Sequence, residues 1–207
     1  MTALFLGKSG LGALFRRLGQ VRNPLSWYAI VLLLPPVLLW VAIGVHMLLG
    51  GAPIAYAWSG FFSALVLGGL YAGLGEELGW RGFALPRMLA RQPALAASLL
   101  LGVLWGLWHL PEALAIGTNP VNFSFLVLSL TAYAVLFTWV YNHTKGSLFL
   151  MVLFHAALTT AAMMFLTPQR DVIVYILYVI LLWVVVTLVV VREEAARLAR
   201  TVRVTPA

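Results

Sequence analysis

The sequence predicts an all-α protein: a polytopic transmembrane bundle of about six spans, both termini on the cytoplasmic side, with an amphipathic helix ahead of the first span. Three observations predict it. Of 207 residues, 63% are apolar and 9% charged, with a mean hydropathy of +1.00; soluble domains carry about 45–50% and about 25%. Apolar blocks recur at the length of about 20 residues that a helix needs to cross about 30 Å of hydrocarbon. The cations are confined to the gaps, nearly all on one side. This balance excludes a soluble globular enzyme and a disordered chain. It also excludes a nucleic-acid binder, because the +7 charge is dispersed between apolar blocks instead of forming one basic face. With no cysteine there is no disulfide framework, thiolate nucleophile or thiolate metal site.

The chain starts with a segment, 1–23, that is not a secretory signal. Lys8, Arg16 and Arg17 interrupt its apolar residues, and Asn23-Pro24 ends the pattern. Leu11, Leu14, Phe15 and Leu18 recur at helical spacing beside those arginines, which reads as an amphipathic helix on the inner leaflet. The first span covers 27–49. The second starts near Trp58, is apolar to Gly75 and continues through charges toward Met88. The third covers 93–116, the fourth 121–141, the fifth 147–166 and the sixth 172–191. All Lys and Arg except Arg170 then fall on one side, which the positive-inside rule makes cytoplasmic. The tail 192–203 reads as a charged helical extension, with Arg197 three and four residues after Glu194 and Glu193. Trp27-Tyr28 and Tyr56/Trp58 read as interface anchors. Ala156, Ala157, Thr159, Thr160, Ala161 and Ala162 would let the fifth span pack closely. Residues 1–207 form one integral-membrane domain: cytoplasmic-face segment 1–23, transmembrane core 24–191 and cytoplasmic tail 192–207.

Ionisable groups inside a span are costly and mark interiors or water-filled cavities. Glu77 and Arg81 are i,i+4 and can pair across a helical turn, while Glu76 is rotated by about 100° and cannot share that pair equally. Either the three form a structural ion pair with one carboxylate reaching for the interface, or Arg81 holds Glu77 and leaves Glu76 as a base. His109, in the third span beside Trp105 and Trp108, and His155, in the fifth, are each interior donors or functional groups. Helical rise puts Glu76, His109 and His155 about 12–22 Å below the cytoplasmic ends of their spans, in one layer. One carboxylate and two imidazoles are the parts of a hydrolytic site and also of a metal site, although His-Glu-x-x-His is absent. His46 and His143 read as interfacial, and Glu112 as facing the outer interface.

These residues resemble the CPBP family of intramembrane proteases, which includes CAAX prenyl endopeptidases and abortive-infection proteins. Its Glu-Glu-x-x-x-Arg motif is matched by Glu76, Glu77 and Arg81. Its aromatic-x-x-x-His is matched by Trp105 and His109. Its His-x-x-x-Asn is matched by His155, with Thr159 in the Asn position. The stretch from Tyr141 to Leu148 is similar to the family's lead-in to that last motif, and the resemblance runs from about Trp27 to Thr160. It implies a proteolytic site open to the cytoplasm in which Glu76 and His109 activate water and His155, with the group at position 159, holds the oxyanion. Glu77, Arg81 and Trp105 would support the site. The resemblance leaves the metal open: a zinc ion held by Glu76, His109 and His155, or a metal-free glutamate mechanism. Thr159 cannot supply an amide donor, which implies weaker activity. Residues 1–6 resemble the tail of a further span that relatives carry first, so this is a short member or its start lies downstream of the true one.

The expected partners are the lipid bilayer and a peptide or membrane-protein substrate. The alternative is a weak or inactive family member serving as a membrane scaffold or immunity protein, which Thr159 favours. A transporter or proton relay predicts inverted repeats, which the sequence lacks. A haem bundle would leave the carboxylate without a use.

Overall fold

The computed structural model describes residues 2–53, 58–165, 172–193 and 198, and the described residues hold helices and no strand. The tail beyond Glu193, the 167–171 loop with Arg170 and the Tyr56 anchor lie outside them, apart from Leu198. The helices are α1 (Thr2–Leu18), α2 (Leu25–Leu48), α3 (Phe61–Leu89), α4 (Ala94–Trp108), α5 (Leu110–Ala115), α6 (Pro120–His143), α7 (Leu148–Phe165) and α8 (Val172–Glu193). Among the described residues five stretches are long and apolar enough to cross a membrane: α2, α3, α4 with α5, α6 and α8. The fifth expected span appears as a shorter apolar helix, Leu148–Met164. The chain is an integral membrane protein.

The enclosed centre is α6 and α7. Helix α4 lies along α6, α3 and α2 lie along α7, and α8 closes against α2 and α6. Asn119 caps α6 by accepting the Asn122 N–H at 2.9 Å, and Pro120 occupies the first turn, where no N–H is needed. The helix ends where Lys145 and Gly146 take left-handed φ of 54° and 77°; Gly146 N–H returns to Tyr141 O at 2.8 Å. That reversal delivers the chain directly into α7.

Two small-residue pairs set the closest approaches. A Cβ on Gly69 would lie 2.9 Å from Ala156 Cα, and one on Gly102 would lie 2.5 Å from Thr131 Cα. Gly69 and Gly73 on α3, like Gly102 and Gly106 on α4, are Gly-x-x-x-Gly pairs that let backbones touch. The small face of α7 expected from Ala156 is therefore met by glycine on α3.

Two expected helices differ from their sequence reading. The third span is broken: α4 ends at Trp108, His109 stands at the joint with φ −82° and ψ −1°, and α5 restarts at Leu110. Pro111 accounts for the break, since it has no N–H and its ring crowds the carbonyl four residues back. Helix α3 contains π-helical turns over Ala64–Tyr71 and Trp80–Ala84. A π-turn bonds i to i+5 and is wider than the α-turn of about 3.6 residues. Mixing the two gives about four residues per turn. The buried residues of α3 from Gly69 onward accordingly fall at every fourth position: Gly69, Gly73, Glu77, Arg81 and Leu85.

Candidate active site

The four-residue row of α3 carries the charges inward. Glu77 and Arg81 are both 0% exposed, and Arg81 Nη1 donates to Glu77 Oε1 at 2.8 Å. Gly73, one turn earlier, lies against the Cβ of His155 and so lets α7 approach. His155 Nδ1 meets the same Glu77 Oε1 at 2.9 Å. A carboxylate oxygen only accepts, so Nδ1 carries the proton, and the lone pair of a neutral His155 is at Nε2. Glu77 thus orients both a cation and an imidazole, in a place where an unpaired charge would be very costly.

The Arg81 guanidinium is stacked between two rings, its Cζ 4.2 Å from the Trp105 centroid and 4.1 Å from that of Phe137. Phe137 in turn stacks on Phe154, ring centroids 4.4 Å apart and nearly parallel. This places Arg81 in a wall built from α3, α4, α6 and α7. Phe137 was not singled out by sequence: an aromatic within an apolar run has no local mark, and its cation lies on another helix.

Trp105 is the hub. Its Nε1–H donates to Glu76 Oε2 at 2.6 Å. Its ring centroid is 5.5 Å from the His155 ring and 6.4 Å from that of His109. The sequence expectation that Arg81 pairs with Glu77 and not Glu76 holds among the hydrogen bonds, but Glu76 is not bare. One oxygen is held by the indole, and the residue as a whole is half-buried. His109 Nδ1 lies 2.9 Å from Trp105 O. A carbonyl accepts, so this nitrogen also carries the proton and Nε2 has the free lone pair of the neutral ring. The break after Trp108 gives His109 its place at a helix end, half-buried. Trp80 of α3 and Trp108 of α4 meet edge to face at 6.3 Å beside it.

Thr159 lies one turn beyond His155 in α7 and is half-buried. Next to it, Thr160 Oγ1 is buried without a partner, at the wall of an apolar cavity of about 270 Å³ between α2, α3 and α7. Glu76, His109 and His155 are the expected zinc ligands. Among the described residues no three His, Asp or Glu side chains converge as a ligand set. The bonds at His155 Nδ1, His109 Nδ1 and Glu76 Oε2 leave both Nε2 atoms and Oε1, and a carboxylate or carbonyl on Nδ1 is also the usual partner of a metal-ligating imidazole.

The remaining candidates lie elsewhere. His46, expected at the interface, is 4% exposed, and its ring lies against Gly51, where any Cβ would clash. His143 is half-buried between the Trp27 and Trp139 rings and faces Glu193 Oε2 at 3.6 Å. Glu193, expected to pair with Arg197, also accepts from Trp139 Nε1 at 3.4 Å, while Arg197 is outside the described residues. Glu112 is exposed, on α5.

Fold and site define a helical membrane bundle with a carboxylate, two imidazoles and a buried Glu–Arg pair gathered from separate spans around one tryptophan. Residues 57–161 match the family described as type II CAAX prenyl endopeptidase Rce1-like. The chain belongs to that family. It is also 29% identical over 142 residues to CAAX prenyl protease 2 of Methanococcus maripaludis, an alignment covering 61% of this chain and 52% of that protein. The chain spans about half the length of this curated relative.

Proposed function

We propose that the chain is an intramembrane endopeptidase that hydrolyses a peptide bond near the cytoplasmic leaflet. The observation that carries this reading is the Trp105–Glu76 bond at 2.6 Å. It fixes one carboxylate oxygen and leaves the other as a base, beside an imidazole whose Nε2 is free. In this reading Glu76 takes a proton from water as the water attacks the scissile carbonyl and passes it to the leaving amine as the C–N bond breaks, while His109 Nε2 orients that water. Positioned acid–base groups of this kind contribute about 10²–10⁴-fold to a rate. His155, held by Glu77 at Nδ1, donates to the developing oxyanion through the Nε2–H of its imidazolium form, and the Thr159 hydroxyl supplies one further donor. Arg81 and Glu77 hold this geometry without touching the substrate. No step passes through a metal.

Membership of the prenyl endopeptidase family supports hydrolysis of a peptide or membrane-protein substrate, and the cation distribution supports a site open to the cytoplasm. Purified protein in detergent is given a library of membrane-tethered peptides, beside a Glu76→Gln control, before and after chelation. Cleavage by the native chain alone, unchanged by chelator, is the expected result. Chelator-sensitive cleavage would return zinc to the site. No cleavage by either folded form would favour the scaffold role.

A further inference from the structure

Arg16 and Arg17 read from sequence as equivalent cations of an amphipathic helix, but the structure separates them. Arg16 is exposed. Arg17 turns into the bundle together with Leu14, which packs in the core against Gly82 of α3. Its guanidinium makes four hydrogen bonds: Nε to Gly146 O at 2.9 Å, Nη1 to Gly82 O at 3.2 Å, Nη2 to Arg81 O at 3.1 Å and Nη2 to Tyr141 Oη at 2.9 Å. Burial pushes its pKa below the ordinary guanidinium value, and the Tyr141 contact opposes that.

Two of the carbonyls it reaches, Arg81 O and Gly82 O, lie where a helical partner would fall on a proline. In the π-turn of α3 the Leu85 N–H goes to Trp80 O. The next carbonyl in that register, Arg81 O, would need the N–H of residue 86, and residue 86 is proline. The α register fails too: Gly82 O would also need residue 86, and the proline ring crowds it. Buried carbonyls without partners are rare because they are costly. Arg17 donates to both from one planar fork and ties them to Gly146, in the turn that starts α7. Around it, Gln20 Nε2 donates to Thr144 O and Ser147 Oγ donates to Gln20 O, so the chain after α1 is fastened to the same turn.

We propose that Arg17 is a positioning residue of the hydrolytic site: it holds the π-turn that aims Arg81 at Glu77, and the turn that sets α7 and His155. The proposal rests on the hydrolytic reading above. A side chain that never meets the substrate thereby controls the alignment of groups that do. A misplacement of about 1 Å at such groups can cost 10²-fold in rate.

The test compares native full chain, Arg17→Gln and Arg17→Lys in detergent, by hydrogen exchange and by peptide cleavage. Arg17→Gln is expected to raise exchange at least about tenfold in peptides covering 80–87 and 144–150, leave α8 unchanged, and lower kcat by about 10²-fold at constant KM. Arg17→Lys keeps the charge but not the fork and falls between. Unchanged exchange over 80–87, a rise spread over all helices, or local loosening with unchanged kcat would each overturn the proposal. If Arg17→Gln does not fold, Arg17→Lys decides by the same criteria. If the native chain cleaves nothing, the hydrolytic reading and the positioning role fall together, and exchange over 80–87 alone still decides whether Arg17 caps the turn.

Discussion

Helices α3 and α8 are both apolar enough to cross a membrane, yet they present their inner faces by different rules. Helix α8 buries Val174, Tyr178, Val179, Leu182 and Val186, the three- and four-residue spacing of an ordinary α-helix. From Gly69 onward α3 buries every fourth residue, because π-turns widen it on both sides of Glu76 and Glu77. A regular helix would drift by about 40° at each four-residue step and carry Gly69 and Leu85 away from a common face. The departure from α geometry lets one row hold, in order, two glycines for close approach, a carboxylate, its arginine and a leucine plug. Helix α8 needs only to be apolar; α3 needs a register. Substitutions should therefore act on cleavage in α3 and on nothing but stability in α8.

The sharpest break between the two helices is Glu76→Gln. The amide keeps the size and the acceptor for Trp105 but is no base, so cleavage should fall by about 10²–10⁴-fold. Circular dichroism and the unfolding midpoint should remain near native. A cleavage rate within threefold of native would remove Glu76 from the mechanism and reduce α3 to a second α8.

Arg81→Met comes next. It leaves Glu77 buried with only His155 to balance it, and breaking a buried pair this way costs about 3–5 kcal/mol. Thermal unfolding in detergent would show it. Adding Glu77→Leu should recover most of that stability, because an apolar pair of similar volume is often as good. Cleavage should stay lost, because His155 then has no orienting carboxylate. Recovery of both would make the pair purely structural.

These charges mark how far the sequence could be read. Helix class, the five long apolar stretches and the Glu77–Arg81 pairing were legible, since hydropathy and i,i+4 spacing act locally. Helical rise puts Glu76, His109 and His155 at similar depth and the motif resemblance points to Trp105; the structure brings all three groups to that ring. The role of Trp105 as the donor to Glu76 was not legible, because it depends on how α3 and α4 face each other. Pro111 marks the break at His109 in the sequence, and Gly-x-x-x-Gly spacing marks the pairs at 69/73 and 102/106. Arg17 gave no sign. Its partners are carbonyls on α3 and in the turn before α7, and a cation beside another cation reads as solvent-facing until the fold puts Pro86 below it.

Gly69→Leu tests the close approach itself. The new side chain would press on Ala156 backbone, and overpacking of this kind costs about 1–3 kcal/mol. Because α7 carries His155, kcat should drop with the unfolding midpoint. Ile180→Leu, on the exposed side of α8, should move neither. Thr159→Asn bears on the same helix from the other direction. It restores the amide that the family motif has at this position, and kcat should rise on the order of tenfold, less than the 10²–10³-fold that an oxyanion donor can supply. An unchanged or lower kcat would show that position 159 does not face the oxyanion.

The smallest effect belongs to α8. Its Tyr178 Oη lies 2.6 Å from Tyr133 Oη of α6, both rings buried. Tyr178→Phe leaves the Tyr133 hydroxyl without that partner and should cost about 1 kcal/mol, measured as a shift in the unfolding midpoint. Replacing both by Phe removes donor and acceptor together and should be close to neutral, since the cost lies in the unmet group. Cleavage should be native in either variant, because this pair touches neither Trp105 nor the α3 row. A kcat loss in Tyr178→Phe that the double variant does not relieve would extend the site across α6, and the contrast between a helix that needs a register and one that needs only hydropathy would no longer hold.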